Sequence, residues 1–407
     1  MVQRFMMQRK VTATLPVLWL AISIIQAFSQ VSSQISSQVS PNQIDAVFAG
    51  FRSNRAPGVA VLVVYNGRAV FHRGYGITDL HTLHKIDGRT NFRLASFTKQ
   101  FTAACIMLLA HDGKLRYDDH LTDFFPEFPA YGKSITVRNL LNHTSGLPDY
   151  EGLLFKQYPG TPPEKVPQIL DAGVLKLLEQ QTSAKFPAGT KWEYSNSGYA
   201  VLAMIVEKVS GKPFGEFLRD RIFSPLKMKN TLAYEKGKNE VPHRAYGHTK
   251  KEDSWSQTDQ SPTSAVLGDG GIYSSIDDLA KWDLALRSHT LLSEAEMQPA
   301  LTPVQPAEGA AKSPDDPTQD GSTQDDPTPD GPTQDGSTVR YGFGWFLDPY
   351  QGHRRMWHDG DTIGFRTTIQ RFPNDQLTII VLANRADVEP EKLALKVADL
   401  YLAPEQP

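Results

Sequence analysis

Apolar and polar positions alternate along this chain in patterns that change from one end to the other. Near the start of the folded region, Ile44, Val47, Phe48 and Phe51 lie on one side of a short helix expected over 43–52. A continuous apolar run at 58–65 reads as a buried strand, Asn66-Gly67 as a two-residue hairpin turn, and 68–75 as the partner strand. Apolar residues at 97, 101, 104, 105, 108 and 109 then have the spacing of an amphipathic helix, with Gly113 as its stop. Helical patterns follow at 136–142, 166–180, 199–209, 214–223 and 275–286, separated by Pro/Gly-rich loops. Strand signals return only at 341–347, 354–358, 367–372 and 377–383, before a last helix over 390–402. This order predicts an α+β fold: one antiparallel sheet assembled from both chain ends, flanked by helices, beside a mainly helical second lobe. A cleft between sheet and lobe is the natural place for a small-molecule site.

Two segments stand outside this pattern. Arg4, Arg9 and Lys10 precede a mostly apolar stretch at 11–28, and Ala27-Phe28-Ser29 places small residues at a cleavage site, so 1–29 reads as a signal peptide. The rival, a retained anchor helix, is disfavoured by Thr12, Thr14, Pro16, Ser23 and Gln26 within the run. A Ser/Gln-rich linker at 30–41 leads into a domain expected over 42–403. These features predict a secreted or periplasmic protein with no stable membrane insertion after cleavage. Within 307–338, Asp315–Gln324 and Asp325–Gln334 form a tandem repeat nearly devoid of apolar residues, expected as a disordered insertion. Its aspartates lack the spacing of a calcium loop.

Composition narrows the function by exclusion. A net charge of −3, from 42 basic and 45 acidic residues, points to no nucleic-acid or anionic-membrane partner. The lone Cys105 lies on the apolar side of the 97–109 helix, as a buried structural thiol would. The 11 histidines are scattered without metal-ligand spacing, so neither metal nor cofactor is expected.

The candidate chemistry begins at Ser96-Phe97-Thr98-Lys99. On a helix, Lys99 lies one turn beyond Ser96 on the same face, where an amine can take the hydroxyl proton of a serine that is otherwise a poor nucleophile. Taken alone, Ser-x-x-Lys more often means a capping serine and a solvated lysine. A second match, Ser224-Pro225-Leu226-Lys227, opens no apolar periodic segment and reads as a turn. Tyr194-Ser195-Asn196 is the only Tyr-x-Asn in the chain and sits on a loop feeding a helix. There a cation beside the phenol favours the phenolate and hence a base; the bland alternative is a packing Tyr beside a capping Asn. His358-Asp359-Gly360-Asp361 ends a strand, where glycine permits close substrate approach and the following N–H groups can face an oxyanion.

These pieces, with Leu141-Asn142-His143-Thr144-Ser145-Gly146-Leu147-Pro148-Asp149-Tyr150, Gly270-Gly271-Ile272-Tyr273-Ser274 and Tyr341-Gly342-Phe343-Gly344-Trp345, resemble the serine β-lactamase and penicillin-binding protein superfamily. The likeness is to its class C β-lactamase-related branch, over about 58–402. The resemblance implies that Ser96 is the acyl-enzyme nucleophile, Lys99 its activating partner and Tyr194 the general base and leaving-group acid. It implies that Asn196 donates to the substrate amide and that the N–H groups of Ser96 and Asp361 form an oxyanion hole, with His358 and Gly360 in the third motif. The chain departs from true class C β-lactamases in having no Lys-Thr-Gly or Lys-Ser-Gly: His358 stands where the permanent cation would be. The expectation is therefore an exported serine hydrolase acting on a small-molecule ester, amide or peptidoglycan-like peptide. A β-lactamase or D-Ala-D-Ala carboxypeptidase is the alternative, and a slowly acylating cell-wall peptide-binding protein the second. The chain has no Gly-x-Ser-x-Gly, which sets an α/β-hydrolase aside.

Overall fold

A computed structural model describes residues 39–306 and 340–402. The expected signal peptide, most of the linker and the 307–338 repeat lie outside these residues.

Five strands form one antiparallel sheet: β1 Val59–Tyr65, β2 Arg68–Tyr75, β3 Met356–Thr362, β4 Phe365–Phe372 and β5 Leu377–Ala383. Their order, β2-β1-β5-β4-β3, joins the two chain ends through the β1–β5 pairing, Val59 opposite Ala383 and Tyr65 opposite Leu377. The hairpin between β1 and β2 turns through Asn66 (φ 50°) and Gly67 (φ 74°), the left-handed pair that a tight two-residue turn requires.

β1 is buried nearly throughout because both faces of the sheet are covered. Val59, Val61 and Val63 pack with Ile379 and Val381 against Ile44 and Phe48 near helix α1 (Pro41–Val47) and against Ala394 and Val397 of the closing helix α6 (Pro390–Ala398). Ala60, Leu62 and Val64 face the other way, into a larger core that includes helix α2 (Lys99–His111) and the helical lobe. That lobe contains α3 (Asp171–Glu179), α4 (Asn196–Ser210) and α5 (Ile276–Arg287). A buried ion pair fastens α5 to the sheet: Arg371 Nε donates to Asp283 Oδ1 at 2.8 Å, and Thr378 Oγ1 donates to the same oxygen at 2.8 Å.

Several expectations are corrected. Residues 341–347 form no strand: isolated bridges join Tyr341 to Phe346 and Phe346 to Trp357 around a tight turn. The middle region carries short strands that its sequence did not announce, Phe92–Arg93, Leu232–Ala233 and Ile272–Ser274 in one small sheet, and His248–Lys251 with Ser254–Gln257 in another. Helix α2 is not amphipathic; every residue from Lys99 to Leu109 is buried. Polar Lys99, Gln100 and Thr102 on its apparent outer face point into the molecule: Lys99 and Thr102 meet tertiary acceptors, and Gln100 Oε1 accepts from the Trp282 N–H at 3.1 Å.

Candidate active site

The segment before α2 bends sharply just ahead of Ser96. The Leu94 N–H donates to the Ile272 carbonyl at 2.8 Å, holding the chain in the small sheet. Ala95 then takes a left-handed φ of 51°, a strained value for a residue with a Cβ, and a 3-10 turn over Ala95–Thr98 leads into α2. Ser96 is half-buried, and Lys99 is fully buried.

Lys99 Nζ lies 3.0 Å from Ser96 Oγ, 2.8 Å from Asn196 Oδ1 and 3.1 Å from the Asp269 carbonyl oxygen. Asn196 Oδ1 and the carbonyl can only accept, whereas Ser96 Oγ can give or take a proton. Two groups that can only accept thus hold the amine beside Ser96 Oγ. The carbonyl belongs to a turn at Leu267–Gly270 that is anchored in the lobe. Thr102 Oγ1 donates to Gly268 O at 2.6 Å, and Asp171 accepts from the Leu267 and Gly268 N–H groups at 2.8 and 3.0 Å. The Asp269 carboxyl is buried and accepts from the Tyr150 hydroxyl at 2.8 Å; burial raises its pKa, against the opposing pull of Lys99.

Tyr194 comes from the loop before α4, and Lys99 Nζ lies 4.8 Å from its ring centre. The helix cap is Ser195, whose Oγ accepts from the Gly198 N–H at 3.1 Å, and this frees Asn196 to turn its side chain to Lys99. His143 holds the loop: its Nδ1 accepts from the Ser195 N–H at 3.1 Å and its carbonyl from the Glu193 N–H at 3.0 Å. Its ring lies 4.3 Å from that of Tyr194. Burial, then the charge of Lys99, push the His143 pKa well below the ordinary value, so the ring is a neutral acceptor.

His358 is buried in β3, with its ring 6.3 Å from that of Tyr194. Burial, reinforced by Lys99, pushes its pKa down to about 3, so the third motif presents no cation at neutral pH. Gly360 allows a close approach within the fold. A Cβ there would meet Leu94 O at 2.0 Å and Thr367 Oγ1 at 2.4 Å, so the glycine lets β3 pack against the backbone just before Ser96. Asp361 lies on the same strand, ion-paired with Arg366, its cross-strand neighbour on β4. The second Ser-x-x-Lys is a turn, with the Lys227 N–H donating to Ser224 O at 3.0 Å.

The structure thus brings Ser96, Lys99, Tyr194 and Asn196 together around one amine, with His358 on the strand beside them and Gly360 and Asp361 beyond it. Sequence reasoning missed Asp269, and assigned no role to His143 or Tyr341. The last two lie in stretches that the resemblance had marked, so a signal was there, but their contacts are tertiary. Among the described residues no group of His, Cys, Asp or Glu side chains is arranged to hold a metal ion, and no helix is long and apolar enough to cross a membrane.

The profile of the beta-lactamase family matches residues 44–403. The chain belongs to that family. This beta-lactamase-family protein is 32% identical to a penicillin-binding protein of Bacillus subtilis over 358 residues, 84% of this chain and 71% of the relative. It is 26% identical to a D-aminopeptidase of Brucella anthropi, over 81% of this chain and 56% of that longer protein. A solved structure of an octameric penicillin-binding protein homologue from Pyrococcus abyssi superposes with a TM-score of 0.70 at 23% identity, covering 89% of this chain and 77% of that one. The fold is that of β-lactamases and transpeptidases, and the protein is a serine hydrolase of this family.

Proposed function

We propose that this protein is an exported hydrolase that cleaves esters or amides, of the esterase or D-amino-acid peptidase type, through an acyl-enzyme on Ser96. The observation that carries the reading is the setting of Lys99, whose Nζ lies 3.0 Å from Ser96 Oγ while two groups that can only accept, Asn196 Oδ1 and the Asp269 carbonyl, hold it in place.

In the proposed reaction Ser96 Oγ attacks the substrate carbonyl carbon and its proton passes to Lys99 or Tyr194. The oxyanion is met by the N–H groups of Ser96 and Asp361. As the tetrahedral adduct collapses, Tyr194 passes that proton, taken directly or relayed from Lys99, to the departing alcohol or amine. Water then attacks the acyl-enzyme with the same group as base and releases Ser96. Asn196 keeps Oδ1 on Lys99, which leaves its Nδ2 to donate to a substrate amide. The neutral His358 favours substrates without a carboxylate at that end of the cleft, which supports ester, amide or D-aminopeptidase chemistry over efficient β-lactam hydrolysis. A D-aminopeptidase among the relatives agrees with this choice.

The test labels wild type and Ser96→Ala with a fluorophosphonate and a fluorescent penicillin, and maps the adduct by mass spectrometry. Adduct on Ser96 in wild type and none in the variant is expected. No adduct in folded wild type with either probe overturns the reading, and rapid turnover of a chromogenic β-lactam overturns the substrate preference.

A further inference from the structure

The turn that carries Ser96 is strung between two sheets. On one side the Leu94 N–H donates to the Ile272 carbonyl at 2.8 Å, and Thr98 Oγ1 accepts from the Ile272 N–H at 3.3 Å, both in the small sheet. On the other side Thr367, fully buried in β4, donates its hydroxyl to the Leu94 carbonyl at 2.8 Å. Among the described residues this is the only hydrogen bond from the five-stranded sheet to residues 94–98. Ala95 lies between the two anchors, with a left-handed φ of 51° that a residue with a Cβ keeps only where its surroundings impose it.

The hydroxyl reaches the turn because of Gly360. Thr367 stands directly opposite Gly360 in the β3–β4 pairing, and a Cβ added to Gly360 would collide with both Thr367 Oγ1 and Leu94 O. The bare glycine leaves open the lane through which the hydrogen bond runs. Asp361 follows Gly360 on β3, and Ser96 follows Leu94 and Ala95 in the turn. One buried hydroxyl therefore joins the strand that bears one N–H of the proposed oxyanion hole to the turn that bears the other. Packing against Gly360 limits how near the two can come, whereas a hydrogen bond also fixes distance and direction.

We propose that Thr367 is a positioning residue that clamps the strained Ser96 turn to β3 and β4 and so sets the spacing of the Ser96 and Asp361 N–H groups. The catalytic half rests on the acyl-enzyme reading above; the clamp itself does not.

Thr367→Val replaces the hydroxyl with a methyl of similar size, and Thr367→Ser keeps the hydroxyl. Thr367→Ala takes the place of the valine variant if that protein does not fold. Single-turnover acylation with para-nitrophenyl butyrate separates binding from the chemical step. Loss of the hydroxyl is expected to slow acylation by roughly 10–10²-fold, less than the 10²–10³ of a removed oxyanion donor, with the dissociation constant of the ester unchanged. The inhibition constant of phenylboronic acid, whose tetrahedral adduct on Ser96 places an oxygen among the same donors, is expected to rise in proportion. Thr367→Ser is expected to acylate at close to the wild-type rate. Wild-type acylation in a folded variant without the hydroxyl, or an equal loss in Thr367→Ser, overturns the catalytic half.

Urea denaturation reads the clamp separately. Glycine adopts a left-handed φ without strain, so loss of the Thr367 hydroxyl is expected to lower the midpoint less in an Ala95→Gly background than in wild type. Equal drops in the two backgrounds overturn the clamp. If wild type neither turns over the ester nor binds the boronic acid, the acyl-enzyme reading has failed and the denaturation cycle still decides the role of Thr367.

Discussion

Asn196 Oδ1 lies 2.8 Å from Lys99 Nζ, although 97 positions separate the two residues in the chain. This contact and the Asp269 carbonyl together hold the amine beside Ser96. Replacing Lys99 with Met is expected to slow acylation of Ser96 by roughly 10²–10⁴, the range of a lost proton-transfer group. Asn196→Ala, which leaves the amine present but less well aimed, is expected to lose about tenfold. Stopped-flow labelling with a fluorogenic ester measures both, and equal losses would separate neither role.

Gly360 lies so close to Leu94 that the third motif and the nucleophile segment form one packed unit. Gly360→Ala is expected to destabilise the protein by ~1–3 kcal/mol through overpacking. At Gly50 nothing lies within 4 Å of an added Cβ. Gly50→Ala is expected to stay within about 0.5 kcal/mol of wild type. Urea denaturation of the two variants gives the comparison.

Asp283 is buried between Arg371 and Arg287, with Arg287 Nη2 3.2 Å from its second oxygen. Asp283→Ala leaves Arg371 buried without its anion and is expected to destabilise by ~3–5 kcal/mol. Denaturant midpoints at constant slope measure the loss.

Two buried carboxyls give the pH dependence of stability opposite signs. Burial pushes Asp171 up to about 7, against the pull of two backbone N–H groups. The folded state therefore binds this proton more tightly than the unfolded chain, whose carboxyl keeps a value near 3.8. The stability it contributes is complete below the unfolded value and is lost as pH rises through about 7. The difference between wild type and Asp171→Asn should be greatest near the lower end of that window and shrink as pH rises. At Asp283 burial also raises the pKa, but Arg371 and Arg287 outweigh it and the net shift is downward. Its contribution is present above the unfolded value and disappears as pH falls through the lower, folded one.

Much of this molecule is written locally. The 2-residue hairpin at Asn66-Gly67, the helix after Ser96 and its stop at Gly113, the cap at Ser275 and the β5 strand follow from near-neighbour periodicity and turn chemistry. So does the choice between the two Ser-x-x-Lys matches, because one opens a buried helix and the other a turn. The strands at 92–93, 232–233 and 272–274 were not legible: two or three residues carry no period, and their partners lie far away in sequence. The turn at 341–346 looked like a strand because its aromatic side chains suit both.

The sequence by itself determined which side chains are available for chemistry: a serine and lysine one turn apart, a lone Tyr-x-Asn, and a histidine where a lysine would bring permanent charge. Only the tertiary structure decided how those groups are charged and aimed. Burial holds His358 and His143 neutral, the Tyr341 hydroxyl lies 3.1 Å from Nε2 of His358, and Asn196 with Asp269 orients Lys99. Protonation and hydrogen-bond direction depend on desolvation and on distances of about 3 Å between residues remote in the chain, and neither quantity is encoded in local spacing.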